Sequence, residues 1–204
     1  MGSVPDESAR SVKRLTDPKA LRALAHPIRL RLVGLLRVHG QLTATQASQL
    51  TGESSASCSF HLRQLAKYGL VEEAGGGQGR ERPWRATAMF TDWPDVAEDP
   101  KVAAATDMLT GVIAEQWFEH LMRWIQARQD EPDEWQQAAH FGDFVLYVTA
   151  GELAELDQRI RDLLDAYLDR QVRQELRPPG ARLVTFLRVA HPFVGPPPPE
   201  PEEK

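Results

Sequence analysis

The chain has 204 residues, 42% apolar and 26% charged, enough to bury a core in one or two domains. Its apolar runs are far too short to span a bilayer, no N-terminal stretch pairs a basic end with an apolar run, and the single cysteine, Cys58, excludes a disulfide framework or a cysteine-rich zinc module. Membrane, collagenous, disulfide-stapled and wholly disordered classes are set aside, and a soluble cytoplasmic protein is expected. The net charge of −5 conceals a split. Residues 1–95 hold 13 basic against 9 acidic side chains, a balance of +4, and residues 96–204 hold 11 against 20, a balance of −9. A polyanionic partner would therefore be met by the first half.

Residues 1–16 are polar and unpatterned and read as a flexible arm. Asp17-Pro18 is a helix start, since an Asp oxygen caps free N–H groups and Pro at the first helical position gives up nothing. Leu21, Leu24 and Ala25 form an apolar face before His26-Pro27. A second helix is expected from Pro27 to about Val38, with Ile28, Leu32, Leu35 and Leu36 on one side, and His39-Gly40 stops it. Thr43-Ala-Thr-Gln46 fits a capping box. It opens a short helix to Leu50, with Ala47 and Leu50 expected inward. Thr51-Gly52-Glu53 makes a tight turn and Ser54 is the next N-cap. From Ser55 to Tyr68 a helix places Cys58, Leu62 and Leu65 on one face, and Gly69 ends it. Leu70-Val71 leads into a strand, Gly75 to Gly79 forms a hairpin tip, and Pro83–Thr87 returns as a second strand. Two short helices joined by a tight turn, followed by a hairpin, describe a winged helix-turn-helix over residues 17–90.

Residues 91–99, rich in Asp, Glu and Pro, read as a linker. Asp99-Pro100 repeats the helix-start signal, and an amphipathic helix is expected to about Arg128. Its stripe carries Val102, Leu109, Val112, Ile113, Trp117, Leu121, Trp124 and Ile125. Asp130-Glu131-Pro132-Asp133 breaks it. Phe144–Val148 is an apolar run of β-forming residues, and Thr149-Ala-Gly-Glu152 is a second capping box. The helix that follows carries Leu153, Leu156, Ile160, Leu163, Leu164 and Tyr167. Pro178-Pro179-Gly180 turns the chain into a second expected strand, Leu183–Val189. The tail, 195–204, has four consecutive prolines and three glutamates and is expected to be disordered. The fold class is thus mainly α with small β: an N-terminal winged helix-turn-helix, then a C-terminal α/β dimerisation or effector region, 100–194, with a long helix and two strands.

In a helix-turn-helix the second helix enters the DNA major groove while the first braces it. The outward face of the 54–68 helix carries Ser55, Ala56, Ser57, Ser59, Phe60 and Arg63. Small hydroxyl side chains let the backbone approach base edges, and Arg63 adds a charged fork. Arg80, Arg82 and Arg85 flank the glycine tip, where phosphates would be met, and the helix start attracts anions. Taken singly, such serines are caps and such arginines are solvated; their ordered set is what points to double-stranded DNA.

The run Leu24-Ala-His-Pro-Ile-Arg-Leu-Arg-Leu32, with Ser54-Ser-Ala-Ser-Cys-Ser-Phe-His-Leu62, Leu65 and Tyr68-Gly-Leu-Val71, resembles ArsR-type winged-helix transcriptional regulators. Gly79-Arg-Glu-Arg-Pro-Trp-Arg-Ala-Thr87 looks like the wing of an actinobacterial-style subgroup. The resemblance covers about residues 17–90. It implies a homodimer that binds a palindromic operator and usually represses, with recognition positions at Ser55, Ser57, Ser59, His61 and Arg63. Bulky Phe60 departs from the commoner polar residue.

Many members of that family sense metals through a cysteine motif on the helix before the turn. Here that helix, Thr43-Ala-Thr-Gln-Ala-Ser-Gln-Leu50, has no thiolate, and no metal or other cofactor is expected. His120 with Glu115 and Glu119, and His140 with Asp143, are the remaining ligand-type groups, and their spacing is poor. Cys58 reads as a small buried hydrophobe. No nucleophile–base–orienter set and no phosphate-binding loop occur, so no enzyme is expected. Dimerisation is expected through Leu109, Val112, Ile113, Trp117, Leu121 and Trp124 of the long helix. Trp117, Trp124, Trp135, Phe141, Phe144, Tyr147 and Phe186 would also suit a pocket for a small organic effector, although an ordinary core explains them as well. The alternative is a protein-interaction module on a winged-helix scaffold without sequence-specific DNA binding.

Overall fold

A computed structural model describes residues 11–75 and 82–195. The elements run β1 (Val12–Arg14), α1 (Pro18–Leu24), α2 (Pro27–His39), α3 (Ala44–Thr51), α4 (Ser55–Lys67), β2 (Val71–Glu73), β3 (Trp84–Ala86), β4 (Phe90–Asp92), α5 (Pro100–Ala127), α6 (Asp133–Ala138) and α7 (Ala150–Val172), with single 3-10 turns after α5 and α7. The capping signals explain the helix starts. Asp17 accepts from the Lys19 amide and Asp99 from the Lys101 amide, each with Pro following. Both capping boxes close reciprocally, Thr43 with Gln46 and Thr149 with Glu152. Gly52 ends α3 in the left-handed conformation, φ 77°, where a Cβ would be strained.

The core sits under the first four helices. Leu21, Leu24, Leu32, Leu36, Cys58, Leu62, Leu65 and Val71 form one buried cluster, which Ala105 and Leu109 of α5 join from the far side, against α1. β2 and β3 pair antiparallel in the register Glu72↔Arg85, and Leu42 bridges to Trp84, so the hairpin is tied to the helices through a backbone ladder. Arg37, on α2, donates to the Ala88 carbonyl and to the Thr91 hydroxyl; burial alone pushes its pKa down to about 10.

Several expectations change. Residues 11–16 are not an arm: β1 pairs in parallel with β4, and Leu15 is buried. An apolar Leu15 two residues before a cap, with Val12 in a strand, was too short a pattern to register. β4 likewise takes Thr91 and Asp92 out of the expected linker. Leu50 is 41% exposed, because α3 turns its Ala47 side inward and a helix this short has one narrow buried face. The two C-terminal strands, 144–148 and 183–189, do not form within the chain: both sheets lie before Pro100 and neither segment has a ladder partner among the described residues. A strand needs a neighbour for its N–H and C=O groups, and the described residues provide none. The expected break at 130–133 is followed by a short α6, which starts at Asp133. Among the described residues no helix is long and apolar enough to cross a membrane.

Leu62 is fully buried beneath α4, so Leu62→Ala should destabilise the chain by about 2–5 kcal/mol through lost transfer energy and a residual cavity. Thr43→Ala, which removes one cap, should cost about 1 kcal/mol. Denaturant melts that show equal losses for the two would contradict this placement of the core.

Candidate nucleic-acid interface

The turn between α3 and α4 is stitched from both sides. The Ser48 hydroxyl donates to the Glu53 carbonyl at 2.6 Å, and the Thr51 hydroxyl donates to the Ala47 carbonyl at 2.8 Å while lying 3.5 Å from Cys58 Sγ. Arg31, on α2, donates to the Thr51 and Leu50 carbonyls at 2.9 and 3.1 Å, placing a cation on the otherwise unpaired carbonyls at the end of α3. α4 then starts from the Ser54 cap and is held by Cys58, Leu62 and Leu65, all with no exposed surface.

With those three inward, the opposite face must point away from the body. Ala56, Phe60, Arg63 and Lys67 are exposed there, Ser59 is half-buried at the margin, and Ser55 is exposed in the first turn. Ser55, Ser59, Arg63 and Lys67 follow one another at four-residue spacing and share a stripe. Arg63 and Lys67 form no ion pair among the described residues. Lys67 was missed in the sequence, although its spacing from Arg63 was the available signal. Phe60 is 51% exposed on this face, an apolar group that could meet a thymine methyl.

Two other expected contacts are placed differently. Ser57 is half-buried and its hydroxyl donates to Glu53 at 3.2 Å. The His61 ring turns toward α2 and packs on His26, with centroids 4.7 Å apart, and Phe60 meets its edge. Nδ1 of both histidines is buried without a partner. Burial, with smaller contributions from the neighbouring Arg29 charge and, for His61, from His26, lowers both pKa values below 6.5; Glu53 opposes the shift.

The wing is electrically mixed. Arg85 pairs with Glu72 at 2.7 Å and Arg82 with Glu73 at 2.7 Å, both across the β2–β3 hairpin and both exposed. Exposed pairs of this kind are worth ~0–1 kcal/mol, so a phosphate can compete for the arginines. Arg80 and most of the glycine tip lie outside the described residues.

The expected dimer stripe on α5 divides in two. Leu109 has no exposed surface and belongs to the chain's own core, which removes it from any partner contact, and Ile113 packs against that core. Val112 lines a polar crevice of about 140 Å³ between α2 and α5, with Glu115, Glu119 and His120 around it. His120 is shifted down, first by burial and then by Arg123 and Arg31, and no cluster of three metal-binding side chains occurs among the described residues. Trp117, Leu121 and Trp124 lie past the core, exposed or half-buried. The aromatic residues proposed for an effector do not enclose a pocket in the single chain. Trp117 and Phe186 border an open cleft of about 520 Å³, while Phe141, Phe144 and Tyr147 stand in solvent.

A stitched turn, a helix with an exposed polar ridge and a ladder-tied hairpin define a winged helix-turn-helix fold, the architecture to which the motifs pointed. Residues 24–74 match the helix-turn-helix domain family. No curated protein matches the chain. Among solved structures, a possible transcriptional regulator for arsenical resistance is 28% identical, covering 56% of this chain and 98% of that one, with a TM-score of 0.30. The homodimeric winged helix-turn-helix DNA-binding domain of a possible ArsR-family regulator from Mycobacterium bovis is 27% identical over 59% of this chain and 95% of that one, TM-score 0.32. Reduced HlyU from Vibrio cholerae is 22% identical over 45% and 81%, TM-score 0.31. Scores this low leave the fold resting on the chain's own geometry.

The two histidines give a pH prediction with a definite sign. Above pH 6.5 both are neutral in the folded and unfolded chain. As pH falls below 6.5 the unfolded chain takes up protons first, so stability is lost on acidification until the depressed folded values are reached. The melting temperature should therefore drop between pH 7 and pH 5, and His26→Gln should drop less steeply. Parallel melting curves for the variant and the parent across that range would contradict the buried pair.

Proposed function

We propose that the chain is a homodimeric ArsR-type transcriptional repressor that reads a palindromic operator. α4 lies in the major groove, with Ser55, Ser59 and Arg63 toward base edges, Lys67 on the flanking phosphates and the wing arginines on the backbone beside them. The observation that carries this reading is the exposed ridge of α4, whose Arg63 and Lys67 form no ion pair among the described residues while Cys58, Leu62 and Leu65 are committed to the core. A single winged helix makes few base contacts, and two-fold pairing doubles the site. Trp117, Leu121 and Trp124 of α5 are the apolar positions left over for that pairing once Leu109 is assigned to the core. The acidic second half is then held away from the phosphates.

A protein-interaction surface is the second reading, favoured by Phe60 on the exposed face of α4 and by the neutralised wing. Sequence selection from a random duplex pool separates the two, since an interaction module enriches no motif.

Against the selected operator, Arg63→Ala should weaken binding by about 1–3 kcal/mol and relax preference at one base position. Arg82→Ala should weaken all sequences alike and lower the slope of log affinity against log salt by about one. Glu73→Gln, which releases Arg82 from its ion pair, should act in the opposite direction. Mobility-shift titrations at three salt concentrations check all three, and unchanged affinity in Arg63→Ala would overturn the docking.

A further inference from the structure

We propose that segments 144–148 and 183–189 are β-strands completed by a second copy of this chain, which makes the C-terminal half an intertwined dimer. The inference rests on the homodimer reading above and adds to it a second, separate interface.

Among the described residues no side chain beyond Leu109 is buried. α7 has an apolar face of Leu153, Leu156, Ile160, Leu163, Leu164 and Tyr167, yet none of its residues is buried. A helix with such a stripe and nothing to cover it is half of an interface. The run Phe144-Val-Leu-Tyr-Val148 is apolar at every position, the pattern of a strand covered on both faces, and Phe144 and Tyr147 are 85% and 88% exposed.

The second segment is anchored but uncovered. Arg182 forms a two-point pair with Glu131 at 2.6 and 3.0 Å and lies over the Trp135 ring, and Arg188 pairs with Asp157 on α7 at 3.0 Å. Between these ties Leu183, Val184 and Phe186 face solvent, beside the open cleft that Trp117, Leu164 and Leu168 border. The chain thus presents a strand at a fixed position, a cleft next to it and a second apolar strand, with no ladder joining them.

The exposed area identifies the occupant's size. A compact monomer of this mass exposes about 9,600 Å², whereas this chain exposes 15514 Å². Giving every residue outside the described set the full exposure of an unfolded chain still leaves an excess of about 2,700 Å². A standard stable interface buries about 800 Å² per partner, and obligate homodimers bury about 1,000–2,500 Å² per partner. A second copy supplies the missing elements in equal number: two strands from each chain, related by a two-fold axis, fill both clefts and close without a free repeat. Trp117, one of the α5 positions assigned to pairing, also borders this cleft.

The test is hydrogen exchange of the full chain, read by mass spectrometry alongside sedimentation. The amides of 144–148 and 183–189 should exchange at least 100-fold more slowly than free peptide in a sample that sediments as a dimer. Leu146→Pro removes one ladder donor at an exposed position; it should shift the dimer toward monomer and expose the amides of 183–189 as well, while those of α4 stay protected and report an intact winged helix. Free-rate exchange of both segments in a dimer overturns strand completion and leaves the α5 dimer standing. Slow exchange in a monomer also overturns it, because the strands would then pair within one chain. A protected dimer unaffected by Leu146→Pro overturns it too. A chain that is monomeric and unprotected at every concentration overturns this inference and the homodimer reading together.

Discussion

Three side chains with no exposed surface, Cys58, Leu62 and Leu65, decide the orientation of α4. They pack into the cluster formed by Leu21, Leu32 and Leu36 of the first two helices. Because successive residues turn by about 100° around a helix, committing that face turns Ala56, Phe60, Arg63 and Lys67 outward, while Ser59 lies at its margin and Ser55 is exposed in the first turn. The exposed ridge is thus a consequence of the core, and the turn before it is held as firmly as the helix itself. Arg31 ties α2 to the end of α3, and Ser48 and Thr51 close the turn locally. A helix that must present side chains to a rigid groove gains from such fixing, since freedom lost in advance is not lost on binding.

Charge follows the same division of labour. The first half is only modestly basic, and two of its arginines are already paired with glutamates on the wing. On α4, Arg63 and Lys67 form no ion pair among the described residues. A surface of this kind gives moderate non-specific attraction and leaves discrimination to the contacts along one helix. The half-buried His26–His61 contact joins the side of α4 to the start of α2, so the seat of that helix is sensitive to protonation.

α5 is the element shared by both halves. Its first turns, through Ala105 and Leu109, are part of the winged-helix core, and its later turns carry Trp117, Leu121 and Trp124 into a region with no core of its own. Beyond it, among the described residues, the apolar side chains of α7 and of segments 144–148 and 183–189 are left without a core of their own.

Local chemistry was enough to read most of the winged helix. Caps, capping boxes, stop glycines and helical spacing each act within a few residues, so Asp17, Thr43, Ser54, Asp99 and Thr149 mark helix starts in the sequence as clearly as in the fold. The inward face of α4 was legible for the same reason. Tertiary structure decided what depends on partners distant in the chain: β1 against β4, the arginine–glutamate pairs of the wing, His61 turned onto His26, and Leu109 claimed by the core. The apolar segments at 144–148 and 183–189 show the difference most plainly. Their residues declare a preference for strand, but a strand exists only where another backbone meets its N–H and C=O groups, and among the described residues none does.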